Sequence, residues 1–390
     1  METEDQNIFE NELIEIIKER YFQVDFLKAI MIFLVIFDHT IPWTIKGVMG
    51  VALWERISIP IFLIIMGFNM GLSFRRKGVT LFKDLYSTNY FKGKFWRFLY
   101  PYLILYVITT LFGLIVYDFN FSAIIDNHLF PHFMDLNLFM GILPFWGPGN
   151  WFIPVIFSSI LIMPLLYKGF SSKKYWAIIT LILLFVLEFL TQLFVHFTFF
   201  DPGFSSWEDY YNTMELVWFF FCNILFYLSA LGLGMWFSNG HKIKSEHNLF
   251  MWILFPISLI YIILYQFFGL DLPFIHGDYN LFVFPYSAFV FLIGLALLPQ
   301  EANNKIAKTI SLIGKSTYHI LLVQIFYFGI TVWLYGDHYR ASIFGINNSD
   351  DIIIFGYLLI NWAICIPAGV FWYYIENELE IFHPNKKNRN

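Results

Sequence analysis

Apolar residues in this chain do not alternate with polar ones; they run on in blocks of about 20, broken by short clusters of charge, glycine and proline. A helix rises about 1.5 Å per residue, so about 20 mostly apolar residues cross a hydrocarbon layer about 30 Å thick. Ten runs come close to or exceed that length: 22–44, 51–74, 96–118, 151–168, 175–199, 216–237, 249–268, 279–299, 310–335 and 351–375. They fill most of the chain and leave no room for a separate soluble domain. The pattern therefore predicts an all-α, polytopic membrane protein with about ten transmembrane helices. Its expected organisation is a cytoplasmic N-terminal segment, 1–21, a transmembrane domain, 22–376, and a cytoplasmic tail, 377–390. The first run is longer than the roughly 7–15 apolar residues of a secretory signal and follows an acid-rich start, so it is expected to be retained.

Composition narrows the function classes. Hydrophobic residues make up 58% of the 390 and charged residues 14%, with a mean hydropathy of +0.62, whereas a soluble domain is about a quarter charged. So few charges do not cover a soluble surface. A net charge of −5 without a long basic block argues against nucleic-acid binding. Cys222 and Cys365 lie in separate apolar runs without partner spacing, which points to neither a disulfide framework nor a thiolate metal site. If the N-terminus is cytoplasmic, 19 of the 24 Lys and Arg residues fall on that side. Lys46, Arg56 and Arg340 fall opposite, while Lys28 and Lys315 lie within segments. This asymmetry predicts a multi-pass protein of the cell membrane with both termini cytoplasmic. The stretch 119–150, which has no Lys or Arg, is expected outside.

A charge near the centre of a membrane helix costs about 2.5–3.5 kcal/mol on insertion scales, so polar residues inside the runs are the candidates for function. Lys28 and His39 are eleven positions apart in the first run, which returns them to nearly one helical face with an axial separation of roughly 16 Å. Asp25 and Asp38 lie close by. Glu188, Gln192 and His196 follow at intervals of four down one face of the fifth run, and Thr317 and Gln324 share a side of the ninth. Depth along each helix sorts these into two polar layers, one with Lys28 and Thr317 and another with Glu188, Gln192, His39 and Gln324. Blander readings stand beside each: a snorkelling lysine, a satisfied core histidine, and interhelical hydrogen bonds for Gln192 and Gln324. Glu188 is harder to set aside, because a buried carboxylate needs a partner or a raised pKa. His128 and His132 lack a third ligand, and no metal is expected. The chain has no GxSxG elbow, Walker loop or HExxH sequence.

Several short stretches together carry a resemblance. VDFLK precedes His39 in an arrangement similar to an Arg/Lys-x10-His pattern, here Lys28 and His39. PIFLIIMGF follows at 60–68, KFWRFLYPYL at 94–103, GPGNWFIP at 147–154, GKSTYHILLVQ at 314–324 and FWYYIEN at 371–377. In this order, over about residues 20–377, the chain resembles the acyltransferase 3 family of integral membrane acyltransferases. It departs at Gln324, where many members have His, in lacking Pro after Glu376, and at Lys28, where Arg is common.

The resemblance implies transfer of an acyl group, expected to be acetyl, from cytoplasmic acyl-CoA to a hydroxyl of a sugar, glycolipid or cell-envelope polysaccharide. Acyl-CoA is then a co-substrate, and no tightly bound cofactor is expected. Within that reaction His39 is the expected general base, since a neutral imidazole suits proton removal near pH 7. Glu188 or Asp38 would orient it, with Glu188 geometrically easier because Asp38 points about 100° away on the helix. Lys28, Lys94 and Arg97 would hold the CoA phosphates. Trp151, Phe152, Gln192 and Gln324 are the acceptor-site candidates. A transporter of small anionic or sugar substrates is the alternative, with a membrane scaffold as a third reading.

Overall fold

The computed structural model describes residues 21–120, 148–200, 220–270, 272, 280–335 and 351–378. Among them there is no strand, and each of the ten apolar runs contributes a helix. In chain order these are α1 (Phe22–Thr40), α2 (Ser58–Arg76), α3 (Tyr100–Val116), α4 (Phe152–Phe170) and α5 (Lys174–Val195), then α6 (Leu228–Phe237), α7 (Met251–Phe268), α8 (Phe284–Leu297), α9 (Lys305–Tyr335) and α10 (Asp351–Glu378). Among the described residues six helical stretches are long and apolar enough to cross a membrane: Val51–Arg76, Phe82–Val116, Phe152–Phe170, Lys174–Thr198, Glu246–Phe268 and Ile353–Asn377. The expected ten crossings are thus met by length and composition in six cases. Ile224–Phe237 and Phe284–Leu297 are shorter, and each rises only about 21 Å against a hydrocarbon core of about 30 Å. Helix α1 carries Asp25, Lys28 and Asp38 within 19 residues, which lowers its apolar content.

Apolar side chains fill the interior of the molecule and also cover much of its outside. Helix α6 is buried along its whole length, and its neighbour α2 is buried over most of its surface. Gly67 of α2 lies against the Leu231 carbonyl of α6, and Gly234 of α6 lies against the Ile64 carbonyl of α2. A methyl group at either position would meet backbone, so these glycines let the two helices touch. The outer helices instead turn large apolar side chains outward, among them Ile182, Leu183 and Leu190 of α5 and Ile253, Ile257 and Phe267 of α7. Exposed apolar area of this extent suits a lipid surface.

Polar groups gather between α1, α9 and α10. Gly314 of α9 lies on the Asp25 backbone carbonyl of α1, which holds the two helices in backbone contact. The start of α1 is fixed by its neighbours: Phe22 N donates to Gln300 O at 2.8 Å, and Gln23 Nε2 donates to Leu295 O and Leu298 O, carbonyls at the end of α8. Between the helix Thr88–Lys94 and α3, residues Phe95–Leu99 form a single π-helical turn. Pro101 follows in the first turn of α3 and has no N–H to donate back along the ladder, which accounts for the local widening.

Candidate functional site

Helix α1 ends at Thr40, just before Pro42, and its last turn carries Asp38 and His39 into a set of buried polar side chains. Asp38 Oδ1 accepts from Lys46 Nζ at 2.5 Å and is 3.3 Å from Arg56 Nη1; Lys46 Nζ also donates to the Asp38 carbonyl at 2.9 Å. Arg56 Nε in turn lies 3.3 Å from Glu55 Oε2. Two acids and two bases therefore neutralise one another among mostly buried side chains, where removing one member would leave an uncompensated charge at a cost of about 3–5 kcal/mol. Lys46 and Arg56, which stand against the charge asymmetry of the sequence, are the cations of this network.

His39 sits beside it. Its Nδ1 is 2.5 Å from Gln324 Nε2 of α9, and its Nε2 is 3.8 Å from Asp38 Oδ2. Gln324 is fully buried and its Oε1 has no hydrogen-bond partner among the described residues. A half-turn of that amide brings Oε1 onto Nδ1–H. Gly149, in the left-handed region at φ +92°, approaches the ring so closely that a Cβ there would stand 3.1 Å from His39 Cε1 and 3.3 Å from Gln324 Nε2. Only glycine combines that backbone with that proximity. One residue behind His39, Thr40 Oγ1 accepts from Asn361 Nδ2 at 2.9 Å, and Asn361 Oδ1 accepts from Tyr327 at 2.7 Å. The end of α1 is thus fixed to α9 and α10.

A second polar group surrounds the first turns of α1. Lys28 Nζ is 2.8 Å from Asp25 Oδ1, while Asp25 Oδ2 accepts from Ser311 at 2.9 Å. Lys94 Nζ lies 3.2 Å from Met70 Sδ and over the rings of Tyr90 and Phe98, with the Arg97 guanidinium also on Phe98. Tyr318 donates to Phe98 O at 2.8 Å and so ties α9 to the π-helical turn that carries Arg97. Nearby in sequence, His319 Nε2 and Glu376 Oε2 meet at 2.8 Å, a buried pair joining α9 to α10. His319 has no place among the residues singled out from sequence. Both members lay inside recognised stretches, but only their pairing across 57 positions sets them apart.

The remaining sequence candidates fall elsewhere. Glu188 does not reach the imidazole as expected: its Oε2 accepts from Ser229 N at 2.8 Å and Ser229 Oγ at 2.7 Å, and Gln192 Nε2 is 3.5 Å from its Oε1. Ser229 is in the first turn of α6, where N–H groups have no partner within the helix, so the carboxylate caps a neighbouring helix. The cross-helix contact to His39 comes from Gln324. Glu188→Ala is expected to cost about 1–3 kcal/mol by leaving the Ser229 N–H buried without an acceptor, seen as a lower thermal midpoint in detergent. Glu188→Gln should leave the pH profile of the reaction in place; a displaced profile would put Glu188 back in the circuit of His39. Trp151 packs on Phe221 and Tyr227, and Phe152 is buried behind it, so both lie in the apolar core next to Asn150 and Gly149. His128 and His132 lie outside the described residues, and Cys222 and Cys365 are free thiols buried in the core.

The described residues thus form an all-helical body with apolar outer faces and a histidine held among acids and amides within it. The family profile described as an acyltransferase domain, that of acyltransferase 3, matches residues 21–375, nearly the whole chain. The chain belongs to this family and is a membrane acyltransferase. No curated protein and no solved structure matches it.

Proposed function

We propose that the protein moves an acyl group, acetyl in the simplest case, from acyl-CoA to a hydroxyl of a sugar, glycolipid or cell-envelope polysaccharide. The observation that carries this reading is the placement of His39 between Gln324 and Asp38, eleven residues along one helix from Lys28. Lys28, Lys94 and Arg97 supply positive charge for the phosphates of the donor at the basic end of the bundle. A pantetheine arm then covers the roughly 16 Å between Lys28 and His39.

With the Gln324 amide oxygen on Nδ1–H, His39 Nε2 carries the lone pair that a general base needs. It takes the proton of the acceptor hydroxyl as that oxygen attacks the thioester carbonyl carbon. The C–S bond breaks, the CoA thiolate leaves, and the imidazolium returns the proton to the thiolate sulfur. Asp38, ion-paired with Lys46 and Arg56, steadies the imidazolium while it exists. Acceptor-side contacts fall to Gln324 and the segment Gly149–Phe152, with Gln192 farther off on α5.

Labelled acyl-CoA offered to purified protein tests the reading. Ester formation with release of CoA is the expected result; flux of a substrate without CoA release would replace it with transport. The charge asymmetry also gives an expected topology. Single-cysteine labels near residues 80 and 385 should be protected from an impermeant reagent in intact cells, and one near residue 125 should react. Labelling of position 80 from outside would invert the orientation.

A further inference from the structure

We propose that the acceptor is recognised as a vicinal diol, one hydroxyl meeting His39 Nε2 and its neighbour meeting Asp38 Oδ2. The proposal rests on the acyl-transfer reading above and adds the chemistry of the acceptor.

Asp38 uses its two oxygens unequally. Oδ1 takes both cations, Lys46 at 2.5 Å and Arg56 at 3.3 Å. Oδ2 has no hydrogen-bond donor among the described residues, and faces His39 Nε2 at 3.8 Å. The side chains of His39 and Asp38 keep 13% and 15% of their surface open, whereas Lys46 keeps 1% and Arg56 5%. Within this cluster the two side chains that face each other are thus more open than the cations that hold Asp38. Both cations share one oxygen, and the second is left beside the base.

The gap has a definite meaning. At 3.8 Å the two atoms are too far apart to hydrogen-bond to each other. Two gauche vicinal oxygens lie roughly 3 Å apart, so each can donate to one of the pair at about 2.8 Å. Lys46 and Arg56, both on Oδ1, stop the carboxylate from turning onto the imidazole, so Oδ2 stays placed to accept a hydrogen bond. His39 removes the proton from one hydroxyl, and Asp38 holds the other in place. An acceptor lacking that second hydroxyl leaves Oδ2 unpaired, which is the circumstance in which polar sites discriminate strongly.

The test uses the purified full chain, labelled acetyl-CoA and envelope glycan, either untreated or cleaved at its vicinal diols with periodate and then reduced. Label incorporation should fall at least 10-fold on cleavage. Equal incorporation into both preparations overturns the proposal. No incorporation even into untreated glycan overturns the acyl-transfer reading itself, and the diol proposal with it.

Asp38→Asn supplies the second arm, with cyclohexane-1,2-diol and cyclohexanol as acceptors. Its carbonyl oxygen is drawn to Lys46 and Arg56, which leaves an NH2 group, a donor, where Oδ2 was. The wild-type preference for the diol in kcat/KM, expected to be at least 10-fold, should collapse to near parity. If the variant lowers both acceptors equally, Asp38 acts only through His39 and the proposal fails. Should Asp38→Asn not fold, the wild-type preference decides: parity between the two alcohols overturns the proposal.

Discussion

His39→Ala is expected to lower kcat by about 10²–10⁴-fold while leaving the affinity for acyl-CoA nearly intact. The size follows from what is lost. An alcohol is a weak nucleophile until its proton is taken, and among the described residues His39 is the imidazole held by Gln324 on one nitrogen and faced by Asp38 on the other. The donor is expected to bind at the opposite end of α1, roughly 16 Å away, so its dissociation constant should not register the change. Steady-state kinetics gives the first quantity, and calorimetry with CoA gives the second. Loss of CoA binding in His39→Ala would mean that the histidine belongs to the donor site, and the division of labour along α1 would fail. Because the ring is in contact with Gly149 and Gln324, His39→Gln is the companion variant; it fills the space and should be as inactive as alanine.

The positions of the helices were legible because burial in lipid demands long, uninterrupted apolar runs, and each run in this chain is closed by charge, Gly or Pro. The length of a run says less about whether it crosses. Residues 279–299 read as a full span, yet the helix occupies Phe284–Leu297, since Pro285 sits in its first turn and the chain turns extended at Leu298. Periodicity likewise put Lys28 and His39 on one wall of α1, and the structure gives each of them a partner there.

Partners across helices were not legible, and the reason is geometric. A stripe such as Glu188 and Gln192 shows which face is polar but not which helix it meets. Its depth matched that of His39, yet α5 packs on α6, and the carboxylate ends on Ser229. Adjacent residues diverge by about 100° on a helix, which placed Asp38 behind Glu188 as the expected orienter. At the final turn, with Lys46 and Arg56 drawing its Oδ1 sideways, its other oxygen still faces His39. Lys46 and Arg56 themselves entered only as charges on the sparse side of the topology. Their role depends on the one connection between α1 and α2, residues 41–57, folding back over the end of α1, which no hydropathy pattern encodes. His319 and Glu376 were hidden in the same way, one in the middle of α9 and the other near the end of α10.

Lys28→Ala is expected to raise the KM for acyl-CoA about 10–100-fold with a smaller fall in kcat, because a charge-assisted contact to phosphate is made in the ground state and the transition state alike. The ion pair with Asp25 offers a competing explanation that the same variant must exclude. Asp25 is 3% exposed and would lose the cation 2.8 Å away, so the fold itself stands to weaken. Pairing the change with Asp25→Asn separates the two effects, since the amide needs no counter-ion and still accepts from Ser311. In the double variant the thermal midpoint should recover while the KM stays high, because only a cation at position 28 serves the phosphate. Lys28→Arg should keep both, as it retains the charge and adds a second donor. If the double variant recovers its KM along with its stability, Lys28 serves Asp25 alone, and the donor phosphates are left to Lys94 and Arg97.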